Sequence, residues 1–123
     1  ILLYPFEIKK ANLLAEKLKV SDKVNYCEMD YSKTKFKNNH FDCIYTTETL
    51  SHSIDIRKTL KEFFRILKKG GVITAQVGSN DKKPKQVDSW LNVFNHYFGN
   101  TKLSRVYIPS FDCSWNFSSS INH

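Results

Sequence analysis

Glycine is scarce in this sequence, which has four glycines among 123 residues. No two of them have the spacing of a GxGxG turn, the loop that lets a backbone approach a bound nucleotide closely. A complete loop of that type is therefore excluded from these residues. The chain also begins with isoleucine, in an apolar run typical of a strand, and we expect it to be a piece of a longer protein. The four glycines are Gly70, Gly71, Gly78 and Gly99.

Cysteine and long apolar runs are also scarce. The three cysteines, Cys27, Cys43 and Cys113, form no CxxC pair, which argues against a zinc site or a disulfide framework. We therefore predict no metal and expect a reducing compartment. No apolar run approaches the roughly 20 residues that a membrane span requires, and nothing resembles a signal peptide. We expect a cytoplasmic protein, or one held at the periphery of an internal membrane.

Acidic residues and arginine are outnumbered by lysine. The net charge is +7, and the only arginines are Arg57, Arg65 and Arg105. Bidentate contacts to bases favour arginine, so sequence-specific binding of nucleic acid is disfavoured. The lysines are spread through every segment, as on a solvated surface. A basic face for anionic lipid or for nucleic acid is the alternative interpretation.

Residues 39–71 organise the rest of the chain. The apolar run 41–45 is rich in strand formers and is typical of a strand buried on both faces. A polar elbow, residues 46–49, follows it. Apolar residues then recur with the spacing of one helix face. A second apolar run, 72–77, completes a strand–helix–strand unit, in which the crossover is almost always right-handed. The helix-face residues are Ile56, Leu60, Phe63 and Leu67.

The ends of this helix are also marked. Asp55 stands where an N-cap is expected, because its side chain can accept from free backbone N–H groups. At the other end, Lys68 and Lys69 are followed by two glycines, which predict the C-cap.

Similar patterns lie on both sides of this unit. A helix is predicted from Pro5, with Glu7 in its first turn, and a strand over residues 24–29. Residues 1–77 thus alternate strand and helix, which predicts a doubly wound α/β sheet with helices on both faces. In such sheets ligands bind beyond the carboxyl ends of the strands. Polar or aromatic residues gather at these ends, near Leu3, Asp30 and Thr46.

The pattern weakens after Gly78. We therefore divide the chain into a partial core, residues 1–78, and a second part, residues 79–123. An amphipathic helix is predicted over residues 87–98, either packed in the core or forming a lid or a membrane-docking face. Residues 103–108 favour a strand. Residues 110–123 are rich in serine and asparagine, and we expect a loosely ordered tail without a closing hairpin.

Four segments carry a family resemblance: LLYPFEIKKA at 2–11, EMDY at 28–31, FDCIYTTETLSH at 41–52 and EFFRILKKGG at 62–71. Together they resemble class I S-adenosylmethionine-dependent methyltransferases, in the branch of the sterol 24-C-methyltransferases and cyclopropane synthases. The resemblance implies a Rossmann-like sheet that lacks its first strand and glycine-rich loop here. It also implies S-adenosylmethionine as the cofactor.

The resemblance implies which residues hold the cofactor. Asp30 matches the acidic residue that faces the adenine, and Tyr31 the neighbour that covers the ring. The simpler alternative for Asp30 is a turn residue at the end of a strand. Residues around the ribose and under the methionyl group complete this set, and for Leu3 core packing is the alternative. They are Leu3, Glu7, Thr46 and Thr47.

Glu48 and His52 are the candidate catalytic residues. Their i, i+4 spacing puts them on one face if the elbow winds into a helical turn. The resemblance implies that Glu48 faces the acceptor, where it would stabilise positive charge or receive a proton, with His52 positioning or polarising it. The alternatives are a carboxylate that stabilises the start of a helix and a histidine satisfied inside the fold.

The resemblance implies a methyltransferase fragment acting on a small lipophilic, sterol-like acceptor. Two other functions remain open from the sequence. One is a non-catalytic remnant of the same fold, because part of the cofactor cradle is absent. The other is a basic α/β module that binds anionic lipid or nucleic acid.

Overall fold

A computed structural model describes residues 5–78, 84–109 and 113–123. The chain divides into two compact units, Ile1–Lys35 and Phe36–His123. The division therefore falls at residue 35, whereas the sequence pattern placed a boundary after residue 78. Each unit is described by itself.

The described part of the first unit contains one helix, α1 (Pro5–Lys17), which begins at Pro5 as the sequence predicts. Beyond its last turn Lys19 takes a left-handed backbone with φ 56°. The N–H of Lys19 donates to the carbonyl of Glu16 at 3.0 Å, and that of Val20 to the carbonyl of Ala15 at 2.9 Å. This is the Schellman arrangement that satisfies the last carbonyls of a helix.

The strand predicted over residues 24–29 is not formed as a ladder. Of these residues, only Glu28 makes a β-bridge. A strand requires successive backbone bonds to a neighbour, and among the described residues this segment has a single paired position. The prediction of a regular strand is therefore wrong.

The second unit is a four-stranded sheet with two helices. The strands are β1 (Phe41–Thr46), β2 (Leu67–Gly78), β3 (Lys102–Ile108) and β4 (Cys113–Ile121), and the helices are α2 (Ile56–Ile66) and α3 (Pro84–Phe98). The spatial order is β1-β2-β4-β3. β1 and β2 are parallel, while β4 is antiparallel to both of its neighbours. The predicted strand–helix–strand unit is confirmed in β1, α2 and β2.

The two helices pack on this sheet and on each other. Leu60 and Phe63 of α2 are buried together with Phe94 and Phe98 of α3, as the apolar stripes predict. The rings of Phe94 and Phe98 lie 6.0 Å apart between centroids. Of the two interpretations of the aromatic helix, core packing is therefore confirmed.

Residues 113–121 correct the expectation of a loosely ordered tail. They form β4, which lies between β2 and β3. Ser118 and Ser120 are buried, and the Ser118 hydroxyl donates to the carbonyl of Ala75 at 3.4 Å. A strand with a neighbour on each side satisfies its backbone through two ladders, so short polar side chains do not prevent it from being central. Residues 110–112 lie outside the described residues.

β1 is less buried than its apolar sequence predicts. Cys43 is exposed, and 67% of Tyr45 is accessible to solvent. Within the described sheet β1 has one neighbour, β2, and so lies at an edge. The prediction of a strand buried on both faces is therefore wrong for this structure.

The predicted N-cap of α2 is confirmed. The Asp55 carboxylate accepts from the N–H groups of Arg57 at 3.0 Å and Lys58 at 3.1 Å. The predicted C-cap is wrong. α2 already ends at Ile66, and Leu67 is extended and belongs to β2.

The two glycines instead form an irregularity within β2. Leu67 pairs with Phe41 and Val72 with Cys43, so residues 68–71 bulge between two ladder positions. Gly70 has φ 76°, a backbone that glycine adopts readily. A Cβ on Gly71 would lie 2.8 Å from the carbonyl oxygen of Lys68 and 3.0 Å from that of Asp42. This bulge therefore needs glycine for two different reasons.

Asn122 anchors the end of the chain to this bulge. Its backbone N–H donates to the carbonyl of Gly71 at 2.9 Å, and its carbonyl accepts from Gly70. Its side-chain amide donates to the carbonyl of Leu67 at 2.8 Å, in a buried position. This amide supplies a donor to a carbonyl at the junction of α2 and β2.

Replacing Asn122 by alanine should destabilise the protein. We expect Asn122→Ala to lower the free energy of unfolding by about 1 to 3 kcal/mol, because it leaves a buried carbonyl without its donor. Urea unfolding followed by circular dichroism measures this. His123→Ala, at an exposed neighbouring position, is the control and should change the value by less than about 0.5 kcal/mol. Equal effects of the two substitutions would contradict the anchoring role.

Candidate active site

Thr46 ends β1 and carries a buried hydroxyl. It pairs with Ala75 of β2, and 7% of the residue is exposed. Its Oγ1 atom has no hydrogen-bond partner among the described residues. A buried hydroxyl in this state costs free energy unless a ligand or water satisfies it. This atom is therefore available to a ligand at the carboxyl end of β1.

The elbow after β1 turns sharply at Glu48. Glu48 has φ 54° and ψ −5°, a left-handed backbone that is uncommon for residues other than glycine. A single 3₁₀ turn, Thr49–His52, follows, and Leu50 is buried within it. The hydroxyl of Ser51 donates to the carbonyl of Glu48. The Glu48 carboxylate makes no capping bond to this turn and is free to point elsewhere.

The Glu48 carboxylate contacts the side chain of Gln76, which lies on β2, the strand next to β1. The Gln76 side-chain amide Nε2 donates to Glu48 Oε1 at 3.4 Å. Gln76 is 6% exposed, whereas Glu48 is exposed. Because side chains alternate along a strand, Gln76 lies on the opposite face of β2 from Ala75, the partner of Thr46. Thr46 of β1 and Gln76 of β2 therefore lie toward opposite faces of the sheet.

Gln76 was missed by the sequence reasoning, although a signal exists. It is an amide within the apolar run 72–77, two residues before the end of β2. Buried amides require hydrogen-bond partners, so such a residue predicts a polar contact near the end of the strand. The identity of that partner depends on a contact over 28 residues of sequence.

His52 is not brought to Glu48. It is exposed at the end of the 3₁₀ turn, and no hydrogen bond joins it to Glu48 in the described part of the chain. The i, i+4 argument assumed an α-helical turn of 3.6 residues. A 3₁₀ turn has three residues per turn, so the fourth residue is rotated away, and Glu48 itself precedes the turn. The condition of the spacing argument, one helical turn that includes both residues, is therefore not met, and the catalytic role of His52 stays a prediction.

Thr47, like Glu48, is an exposed residue of the elbow. Its carbonyl accepts from the Thr49 hydroxyl at 3.0 Å, which helps to shape the turn. The backbone at Thr47 is thus used within the elbow, while its side chain faces solvent.

The other predicted cofactor residues belong to the first unit. Asp30 Oδ1 accepts from the N–H of Ser32 at 2.7 Å, as in a turn that a short acidic side chain stabilises. Tyr31 is half-buried, and Glu7 is exposed in the first turn of α1. Leu3 lies outside the described residues. Asp30 therefore has the structural role that the alternative interpretation predicts, and its role toward a ligand stays a prediction.

Ion pairs lie at the opposite end of β1 from the elbow. Lys68 Nζ donates to Asp42 Oδ1 at 2.8 Å and holds the pKa of Asp42 below its ordinary value. Arg65 binds Glu62, which raises the pKa of Arg65, and also donates to the carbonyl of Phe36 at 2.9 Å. The Lys68–Asp42 pair joins β2 to β1, and the bond from Arg65 to Phe36 ties the segment before β1 to α2. None of these contacts involves the elbow.

The described residues contain no group of three or more histidine, cysteine, aspartate or glutamate side chains placed to hold a metal ion. None of their helices has both the length and the apolar character needed to cross a membrane.

Replacing the Thr46 hydroxyl should not destabilise the protein. We expect Thr46→Val to raise the free energy of unfolding by about 1 kcal/mol, because it removes an unsatisfied buried group and keeps the shape of the side chain. Thr59→Val is the matched control. Thr59 is fully buried, but its hydroxyl bonds the Ser53 hydroxyl at 2.8 Å, so this change should be destabilising. Urea unfolding of both variants measures these changes in stability. A loss of stability in Thr46→Val would contradict the assignment of the Thr46 hydroxyl as unsatisfied.

Comparison with known proteins identifies what this chain is similar to. Residues 3–75 match the family model described as "Methyltransferase domain". Sterol 24-C-methyltransferase of Aspergillus fumigatus is 37% identical over 67 residues, which are 54% of this chain and 18% of the relative. The corresponding protein of Pneumocystis carinii is 29% identical over 89 residues, 67% of this chain and 24% of the relative. The chain thus spans a minor part of the curated relatives it matches.

Solved structures share the fold. The crystal structure of the [4+2]-cyclase SpnF superimposes with a TM-score of 0.76 at 13% sequence identity. The match covers 97% of this chain and 64% of the cyclase chain. The structure of a geranyl diphosphate methyltransferase in complex with SAM is also 13% identical, covers 98% of this chain and 66% of its own, and has a TM-score of 0.69. Identities this low show the fold alone. The predicted mixed α/β class is confirmed.

Proposed function

Because the chain belongs to the methyltransferase domain family, we propose that it binds S-adenosylmethionine and takes part in methyl transfer to a small lipophilic acceptor of sterol type. The resemblance noted from the sequence is confirmed at the level of the family. The single observation that carries the proposal is the elbow after β1, where a carboxylate on a left-handed residue projects beside the end of a parallel strand. Ligand sites in such sheets lie at the carboxyl ends of the strands.

The described residues fit part of a cofactor site. S-adenosylmethionine supplies a methyl group on a positively charged sulfur. The unpartnered Thr46 hydroxyl would accept or donate one hydrogen bond to its methionyl end, with Thr47 beside it. Asp30, whose carboxylate can accept several bonds, would face the adenine, and Tyr31 would cover the ring. Glu7 and Leu3 would lie near the ribose.

Glu48 would act on the acceptor. An alkene carbon that bonds an incoming methyl group leaves positive charge on its neighbour, and loss of an adjacent proton restores a double bond. The Glu48 carboxylate would stabilise that charge and accept the proton at Oε2, since Oε1 is bonded by Gln76. Among the described residues no cation pairs with the Glu48 carboxylate. His52, 4 positions on, would act only through a rearrangement of the elbow.

Support for a sterol-type acceptor comes from the relatives. Two of them, named sterol 24-C-methyltransferases, are 37% and 33% identical over 67 residues. The likeness to a cyclase shows that the fold alone does not fix the reaction. The acceptor is therefore argued from sequence similarity, and the chemistry from Glu48. A lipophilic acceptor would bring the protein to a membrane periphery.

Glu48→Gln should separate catalysis from cofactor binding. We expect turnover to fall about 100-fold or more, because an amide neither accepts the proton nor carries negative charge. The dissociation constant of S-adenosylhomocysteine should stay within about twofold. Methyl transfer from labelled S-adenosylmethionine to a sterol with a side-chain double bond, in the protein at its full natural length, measures the first. Calorimetry measures the second.

Asp42→Asn is the matched control for this experiment. Asp42 is a carboxylate near the start of β1, at the end away from the elbow, and it is paired with Lys68. Its replacement should leave turnover unchanged. If Glu48→Gln turns over as fast as this control, Glu48 is removed from the mechanism.

Cofactor binding itself is tested with S-adenosylhomocysteine. Thr46→Val should weaken binding about tenfold, the effect of about 1.4 kcal/mol from one lost hydrogen bond. A basic module that binds anions would behave differently, because its affinity would fall steeply with salt. Absence of binding by the unmodified protein, together with salt-dependent binding to anionic vesicles or nucleic acid, would contradict the proposed function.

A further inference from the structure

We infer that Gln76 is a positioning residue, which fixes the direction of the Glu48 carboxylate through its side-chain amide. The inference rests on the function proposed for Glu48 and adds a second residue to it. Gln76 Nε2, on β2, donates to Glu48 Oε1, in the elbow after β1, at 3.4 Å. Among the described residues, the Glu48 carboxylate makes no other hydrogen bond or ion pair.

The backbone alone cannot aim this carboxylate. A glutamate side chain has three rotatable bonds, so fixing Cα by the left-handed elbow leaves its oxygens mobile. The carboxylate is not held by a cap bond to the following turn. A contact at the far end of the side chain is therefore required to define one direction. Gln76 supplies that contact, so the backbone of Glu48 and its carboxylate are both held in place.

Gln76 is suited to this role by its burial. It is 6% exposed on β2, so its amide is held by a packed strand and not by a flexible loop. Its neighbours Ala75 and Val77 are apolar, which makes the amide the polar exception at this end of the strand. A buried amide without a partner would be costly, and the bond to Glu48 offsets that cost. The contact therefore constrains both residues.

The amide is also neutral, and this distinguishes Glu48 from two other carboxylates. Asp42 is paired with Lys68, and Glu62 with Arg65. A cationic partner would cancel the charge that a developing carbocation requires. A neutral donor orients Glu48 Oε1 and leaves the negative charge available at Oε2. Gln76 therefore fixes the position of the carboxylate, while Glu48 itself supplies the negative charge.

A double-mutant cycle tests the inference in the protein at its full natural length. Gln76→Met keeps the length of the side chain and removes the donor. We expect it to lower kcat about tenfold to a hundredfold through misplacement of the carboxylate, while KM for S-adenosylmethionine stays within about twofold. In the Glu48→Gln background it should have no further effect on kcat. Thr74→Val, on the same face of β2 and 2 residues before Gln76, is the control and should leave kcat unchanged.

A second measurement does not require turnover. The side-chain amide resonances of Gln76 in a ¹⁵N–¹H spectrum should shift when Glu48 is replaced by glutamine, and should not shift in Asp42→Asn. Unshifted resonances, or a loss of kcat by the same factor in both backgrounds, would overturn the inference. Shifted resonances in a protein that fails to bind S-adenosylhomocysteine would retain the contact and reject the proposed function instead.

Discussion

The parallel pairing of β1 with β2 is the constraint on which the candidate site depends. It places Thr46 opposite Ala75, so both strands reach their carboxyl ends at the same edge of the sheet. The chain after β1 must then turn away from β2 within a few residues, and it does so through left-handed Glu48. Because Gln76 follows Ala75, the register also sets which residue of β2 the Glu48 carboxylate can reach. A shift by one residue would exchange the faces and separate these two side chains.

This register is held from both ends of the crossover. At its start, Asp55 caps α2 and orients the helix against the sheet. At its end, the bulge at residues 68–71 corrects the ladder between two pairs, and Asn122 bonds the junction of α2 and β2. Asn122 therefore stabilises the start of β2, whereas the elbow lies beside the other end of β2. Packing of α2 and α3 on the sheet buries the apolar side chains that support both.

Local patterns predicted the elements, and distant contacts decided the rest. The stripe of α2 and the cap at Asp55 follow from residues within one or two turns, so they could be predicted. The role of Gly71 could not, because it depends on the carbonyl of Asp42 in another strand. β4 was missed because its serines are polar by composition, while two neighbouring strands satisfy their backbone. Glu48 was proposed from its place in the polar elbow after a strand and from the family resemblance. Gln76 was not found, since its partner is 28 residues away.

The backbone of Glu48 gives a physical reason to regard its side chain as functional. A left-handed residue other than glycine is strained by about 1 to 3 kcal/mol when the surroundings hold it there. Ser51 bonds the Glu48 carbonyl and Leu50 is buried in the following turn, so the surroundings do hold it. A glycine would make the same turn without that strain, and the carboxylate contributes no cap bond to the turn in return. The side chain therefore does not serve the turn, and its one described contact leads to the end of β2, where a ligand in this type of sheet would bind.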